Sequence, residues 1–236
     1  MDKTTFINVI QTDFPHITKE QIDLIITYKE LVQEYNQYFN LTRLDTEEKI
    51  YQEFLYDSLL PYKNNTYMPI DEHKKIIDIG SGSGIPGVLI AIVFNKYEVS
   101  LLEANSKKCS FLETVKTKLN LTNLNILNMR AEDINSKQRE SFDLATSRAV
   151  AALYKILEIS VPFVKVGGYL IEPKGLNYTN EINEAASTIG VLGLEQVHQI
   201  DYISNQKTNH ILIYTKNKPT NKKYPRTWAQ IVQKPL

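Results

Sequence analysis

Ile76-Ile77-Asp78-Ile79-Gly80-Ser81-Gly82-Ser83-Gly84-Ile85-Pro86-Gly87 reads as an apolar strand ending in an acid, a turn with glycine at every second position, and a helix start. Glycine lets the backbone take positive φ and come close to a ligand. Proline in a first helical turn forfeits no hydrogen bond. Strand, glycine turn and helix in that order set free backbone N–H groups beside a nucleotide-like ligand. The stretch therefore predicts a cofactor site in an α/β domain.

Downstream of this turn, short apolar runs alternate with amphipathic ones. Strands are expected at 75–79, 98–103, 124–128, 142–146 and 167–172, and helices at 86–95, 106–119, 147–160 and 178–189. Such alternation implies βαβ crossovers and a parallel sheet covered on both faces. Two further runs, 194–203 and 209–216, have no helix between them and predict a closing hairpin. The expected fold is Rossmann-like α/β: a mostly parallel seven-stranded sheet with an antiparallel edge strand.

Upstream, the pattern is helical. Thr18 with Gln21 fits a capping box, and Ile22, Ile25, Tyr28, Val32, Tyr35 and Phe39 follow helical spacing. A second helix is expected to open near Thr46, with Glu47 and Glu48 in its positively polarised first turn, and to end before Pro61. Residues 61–73 read as a linker. The expected organisation is an N-terminal helical extension (1–72), a cofactor-binding domain (73–217) and a basic tail (218–236).

With 236 residues, 42% apolar and 23% charged, the chain can bury a full core, which argues against wholesale disorder. The longest apolar run, Ile85 to Phe94, spans about 10 residues against the roughly 20 a bilayer requires, so no membrane association is expected. Met1 to Gln11 lacks the pattern of a signal peptide. Cys109 is the only cysteine, which excludes an intrachain disulfide and fits a cytoplasmic setting. Four scattered histidines show no metal-ligand spacing, so no metal is expected, and a monomer is. Net charge is zero, yet residues 1–72 carry 13 acids and 6 bases, while residues 202–236 carry 7 bases and no acid. A tail of one sign is either solvated or a phosphate-contacting arm.

Two cofactor classes fit the glycine turn. Gly82-x-Gly84-x-x-Gly87 matches the dinucleotide fingerprint, whereas Asp78-x-Gly80-x-Gly82-x-Gly84 matches the S-adenosylmethionine (AdoMet) turn of class I methyltransferases. Position favours AdoMet, because Gly80 directly follows the strand and Asp78 at the strand end can meet a methionine ammonium. Glu103 closes the next strand, placed to accept from both ribose hydroxyls, which AdoMet and NAD share. Ala131-Glu132-Asp133 follows the third strand, where an adenine-binding loop would lie, unless Asp133 is simply a helix cap. Ser147-Arg148 ends the fourth strand, where doubly wound folds hold ligands. Arg148 there faces the transferred group or an ion-pair partner.

Together these residues resemble the RsmG (GidB) family of bacterial small-subunit rRNA methyltransferases. The marks are Asn40-Leu41-Thr42, Asp57-Ser58, the turn from Asp78 to Gly87, Leu102-Glu103 with Lys107-Lys108 and Phe111-Leu112, Arg130-Ala131-Glu132, Ser147-Arg148-Ala149, Lys174-Gly175 and Tyr224-Pro225-Arg226. The resemblance implies AdoMet-dependent methyl transfer to N7 of a guanosine in 16S rRNA, with the small ribosomal subunit as partner. It implies cofactor contacts at Gly80, Ile85, Ala131, Glu132 and Arg148. The chain departs from the family at Phe54, where a histidine is usual, at Glu172-Pro173, and after Arg226.

Guanine N7 carries an exposed lone pair, so its methylation requires no general base, and Arg148 is given a positioning role. Candidates for RNA phosphate are Lys174, Lys222, Lys223 and Arg226, with Tyr224 and Trp228 as stacking faces. Cys109 reads as a packed thiol. The competing readings are a methyltransferase of another substrate and a non-catalytic rRNA- or ribosome-binding protein on the same fold.

Overall fold

The computed structural model describes the chain except residues 45, 64, 65, 205 and 206 and the Lys207 side chain. Asn64 and Asn65 of the expected linker thus lie outside the described residues. In chain order the helices are α1 (Lys3–Asp13), α2 (Lys19–Phe39), α3 (Glu47–Lys49), α4 (Asp57–Leu59), α5 (Gly87–Val93), α6 (Ser106–Lys118), α7 (Leu153–Ser160), α8 (Tyr178–Leu192) and α9 (Trp228–Gln233). The strands are β1 (Lys75–Ile79), β2 (Glu98–Glu103), β3 (Leu124–Asn128), β4 (Phe142–Ser147), β5 (Val164–Lys174), β6 (Leu194–Ser204) and β7 (Lys207–Lys216). The strand order is β3-β2-β1-β4-β5-β7-β6. All seven strand positions expected from the sequence are occupied.

The chain divides into two compact units, residues 1–73 with 81–128, and residues 74–80 with 129–236. This division groups the expected helical extension with the segment that follows the glycine turn, and the basic tail with the later strands.

In the first unit, α2 is what its sequence predicts. The Thr18 hydroxyl accepts from the Gln21 N–H at 3.2 Å and the Gln21 side-chain oxygen accepts from the Thr18 N–H at 2.9 Å. Ile22, Ile25, Tyr28 and Val32 form its buried stripe. α2 also holds the segment bearing the glycine turn at two points. Tyr28 donates its hydroxyl proton to the Ser83 carbonyl at 2.8 Å. Gln21 Nε2 donates to the carbonyls of Ile92 at 2.6 Å and Val93 at 3.1 Å, satisfying acceptors that a helix end leaves open. Helix α5 between these points is buried all round. The second expected helix opens at Thr46 as a cap, passes through a π-helical stretch, Ile50–Tyr56, and tightens to a 3₁₀ turn that holds Pro61. Phe54 lies there, its ring 5.9 Å from that of Tyr28. Strands β2 and β3 are parallel, with α6 as their crossover.

Gly84 in this unit has φ +103°, and a Cβ there would stand 2.6 Å from Val88 Cγ2 and 2.8 Å from Leu112 Cδ2. Strain and overlap act together, so Gly84→Ala is expected to cost about 2–3 kcal/mol. Urea unfolding checks this; an unchanged midpoint would contradict it.

In the second unit, β1, β4 and β5 run parallel, and β7 is antiparallel to both β5 and β6. The antiparallel strand expected at that side of the sheet is thus β7 of the closing hairpin. One element departs from expectation. The helix expected from 147 starts only at Leu153. Residues 148–152 form an irregular loop in which Ala149 takes φ 55°, held by side chains described below. The tail is docked: Ile231 of α9 is fully buried, and Thr220 N–H donates to Glu140 Oε1 at 2.8 Å.

Candidate functional site

The first unit contributes the turn and the acid. Ser81 N–H donates to the Leu102 carbonyl at 3.1 Å, and Gly84 N–H to the Ser81 carbonyl at 2.7 Å, closing the turn on itself. Gly82 N–H donates to Glu103 Oε2 at 2.9 Å, while Asn105 N–H donates to Glu103 Oε1 at 2.7 Å. The acid expected to meet a ribose is therefore fixed by one backbone donor on each oxygen. A carboxylate offers about four lone-pair directions, so two remain for hydroxyls. Asn105, which sequence reasoning missed, also caps α6 by accepting from Lys107 and Lys108. An Asn two residues beyond a strand-end acid and before a helical run was the available signal. Ile85 is half-buried beside this turn. Cys109 is buried, its thiol donating to the Glu103 carbonyl at 3.2 Å, and burial raises its pKa.

The second unit contributes the strand ends. Asp78 is fully buried at the end of β1. Gly80 follows with φ +70°, and a Cβ on it would lie 2.9 Å from Val150 Cγ2. Any other residue there would displace the 148–152 loop or strain the turn. Ala131–Asp133 forms one 3₁₀ turn with Ala131 buried, and Glu132 Oε1 lies 3.4 Å from Arg130 Nη1. Arg148 follows the last residue of β4 and is half-buried.

Beneath that loop lies a polar cluster that sequence reasoning did not assemble. Ser147 Oγ donates to Glu172 Oε2 at 2.6 Å. Lys174 Nζ pairs with Glu181 Oε2 at 3.0 Å, and the same oxygen accepts from Leu153 N–H at 2.9 Å. Burial pushes the Glu172 carboxyl up to about 7, against the pull of Lys174 and the Ser147 hydroxyl; Asp78 and Glu181 add to the rise. The folded value thus exceeds the usual 4.5, so the folded state holds this proton more tightly. That stabilisation is full below pH 4.5 and is lost as pH rises through about 7. Glu172→Gln, neutral at every pH, should match the wild type near pH 4 and melt higher than it at pH 8. A constant Tm difference would contradict this.

Two of the expected phosphate contacts are occupied elsewhere. Lys174 is turned inward to Glu181 with its side chain 9% exposed. Arg226 donates through Nε and Nη2 to both oxygens of Glu158, at 2.8 and 2.7 Å, and Glu158 is buried. Sequence alone makes exposed cations the default and does not show a partner 68 residues away; Glu158 amid the apolar stripe of α7 was the signal. Tyr224 is buried and Trp228 half-buried, so neither presents a full stacking face. Lys222 and Lys223 are exposed.

The residues present fit AdoMet. In the first unit Gly82 and Gly84 allow close backbone approach and Glu103 keeps two acceptor directions for a ribose diol; in the second, Asp78 is a buried acid at the end of β1.

Comparison with known proteins decides the family. The profile of the family described as rRNA small subunit methyltransferase G matches residues 21–211. The chain belongs to this family. The ribosomal RNA small subunit methyltransferase G of Ureaplasma parvum serovar 3 is 47% identical over 100% of both chains. That of Malacoplasma penetrans is 38% identical over 98% of each. Among solved structures, a mutant of the 16S rRNA (adenine(1408)-N(1))-methyltransferase from Catenulisporales acidiphilia matches with a TM-score of 0.52 and 14% identity, covering 63% of this chain and 87% of that one. M. jannaschii TYW2 in complex with AdoMet also gives a TM-score of 0.52, at 16% identity over 63% of this chain and 70% of that one. These structural likenesses show a shared class I methyltransferase fold. Family membership makes the chain an AdoMet-dependent rRNA methyltransferase.

Proposed function

We propose that this member of the family transfers the AdoMet methyl group to N7 of one guanosine in 16S rRNA. The observation that carries the cofactor half is the Glu103 carboxylate, fixed by Gly82 and Asn105 with acceptor capacity to spare. Gly80, Gly82 and Ile85 would line the methionine and ribose side, Glu103 the ribose hydroxyls, Ala131 and Glu132 the adenine edge, and Arg148 the neighbourhood of the transferred group. Bound there, AdoMet supplies a methyl group made electrophilic by its sulfonium. Guanine N7 offers a lone pair that carries no proton, so no base is needed and the chain's task is alignment, which can supply roughly 7–11 kcal/mol. Arg148 orients the guanosine and takes no proton.

Lys222 and Lys223 are the cations we assign to rRNA phosphates. The reading places the protein in the cytoplasm as a monomer working on the small subunit without a metal ion.

The test uses small subunits from a strain lacking this protein, incubated with AdoMet and the purified chain. Borohydride and aniline cut RNA at 7-methylguanosine. One new scission in 16S rRNA is expected. Labelling without scission would move the reaction off N7, and no labelling would overturn the proposal.

A further inference from the structure

The loop carrying Arg148 is held at both ends by side chains from β5 and α8. At its start, Ser147 Oγ donates to Glu172 Oε2 at 2.6 Å. At its end, Lys174 Nζ reaches the Ala151 carbonyl at 3.5 Å and Glu181 Oε2 accepts from Leu153 N–H at 2.9 Å. The Lys174–Glu181 pair, 3.0 Å apart and largely buried, ties these contacts together. Between the fixed ends, Ala149 takes the left-handed conformation and Val150 packs where a Gly80 Cβ would be. An alanine-rich run that would otherwise continue helix α7 is thus held open against Gly80.

We propose that Lys174 and Glu181 are positioning residues for methyl transfer: they hold the 148–152 loop in the form that presents Arg148. This rests on the proposed function and adds residues that do not touch RNA or cofactor. A left-handed alanine is strained, and the loop keeps it only while its ends are tied. Without Lys174 the Ala151 carbonyl loses its partner and Glu181 loses its counter-charge, and without Glu181 the Leu153 N–H loses its partner; in either case helix α7 is freer to extend toward Arg148. Displacement of a positioning group by about 1 Å can cost on the order of a hundredfold in rate.

The experiment is a double-mutant cycle with Lys174→Met and Arg148→Ala, reading single-turnover methylation of small subunits, AdoMet affinity and Tm. Wild-type turnover is the control: its absence overturns the functional reading and the positioning claim with it, whereas turnover with an unslowed variant overturns the positioning claim alone. Given turnover, Lys174→Met should slow transfer by about tenfold to a hundredfold, change AdoMet affinity less than about threefold, and cost nothing further in the Arg148→Ala background. Lys174→Arg should recover most of the rate. An unslowed Lys174→Met, or an equal loss in both backgrounds, overturns the proposal. Should Lys174→Met fail to fold, Glu181→Ala takes its place in the same cycle, since it removes both the ion pair and the acceptor of the Leu153 N–H.

Discussion

Glu103→Ala is expected to weaken AdoMet binding by about a hundredfold to a thousandfold. Each hydrogen bond to a charged group is worth about 1.5–3 kcal/mol, and the carboxylate has room for two ribose hydroxyls beyond the N–H donors of Gly82 and Asn105. Loss of the side chain also releases Gly82 N–H, so the turn itself loosens. Glu103→Gln should do nearly as badly. Its amide can accept on one side only, so its NH₂ would face either Gly82 N–H or Asn105 N–H, a donor against a donor. Calorimetric titration with AdoMet measures both. Affinity within about threefold of the wild type in Glu103→Ala would show that the ribose is held elsewhere.

Arg226→Ala is expected to cost about 3–5 kcal/mol of stability, because it strands a buried carboxylate. Glu158 is 1% exposed and receives Nε, Nη2 and the backbone N–H of Arg226, while Nη1 reaches the Lys234 carbonyl at 2.8 Å. Contact with Glu158 raises the Arg226 pKa further. Truncation leaves Glu158 with the Arg226 backbone N–H and frees the end of α9. Paired replacement, Glu158→Leu with Arg226→Met, should recover most of the loss, since apolar packing can replace a buried ion pair. A phosphate-binding Arg226 predicts the opposite pattern: unchanged unfolding and a flatter salt dependence of RNA binding. Urea unfolding of the single and double variants decides between them.

Where local pattern is enough, the sequence is informative. The turn from Asp78 to Gly87, Glu103 at the end of β2 and the strand positions all follow from periodicity and glycine spacing. Thr18 and Gln21 form the capping box their spacing implies. What escaped depends on pairings between elements, which local pattern does not reveal. Residues 147–152 read as helix because Ser-Arg-Ala-Val-Ala-Ala has helical propensity, whereas Glu172, Lys174 and Glu181 contact the two ends of the loop. Lys174 and Arg226 read as surface cations because exposed cations are the default; Glu181, seven residues on from Lys174, lies on the following helix, and Glu158 lies 68 residues from Arg226. The expected boundary at residue 72 follows a change in pattern, whereas the compact units follow contacts such as those of Tyr28 with Ser83 and Gln21 with Ile92.

Calorimetric titration of the purified wild-type chain with AdoMet, its demethylated homocysteine product and NADH tests the central claim most directly. The account predicts saturable one-to-one binding of both sulfur nucleosides and no heat from NADH. Binding of NADH with neither sulfur nucleoside taken up would contradict it.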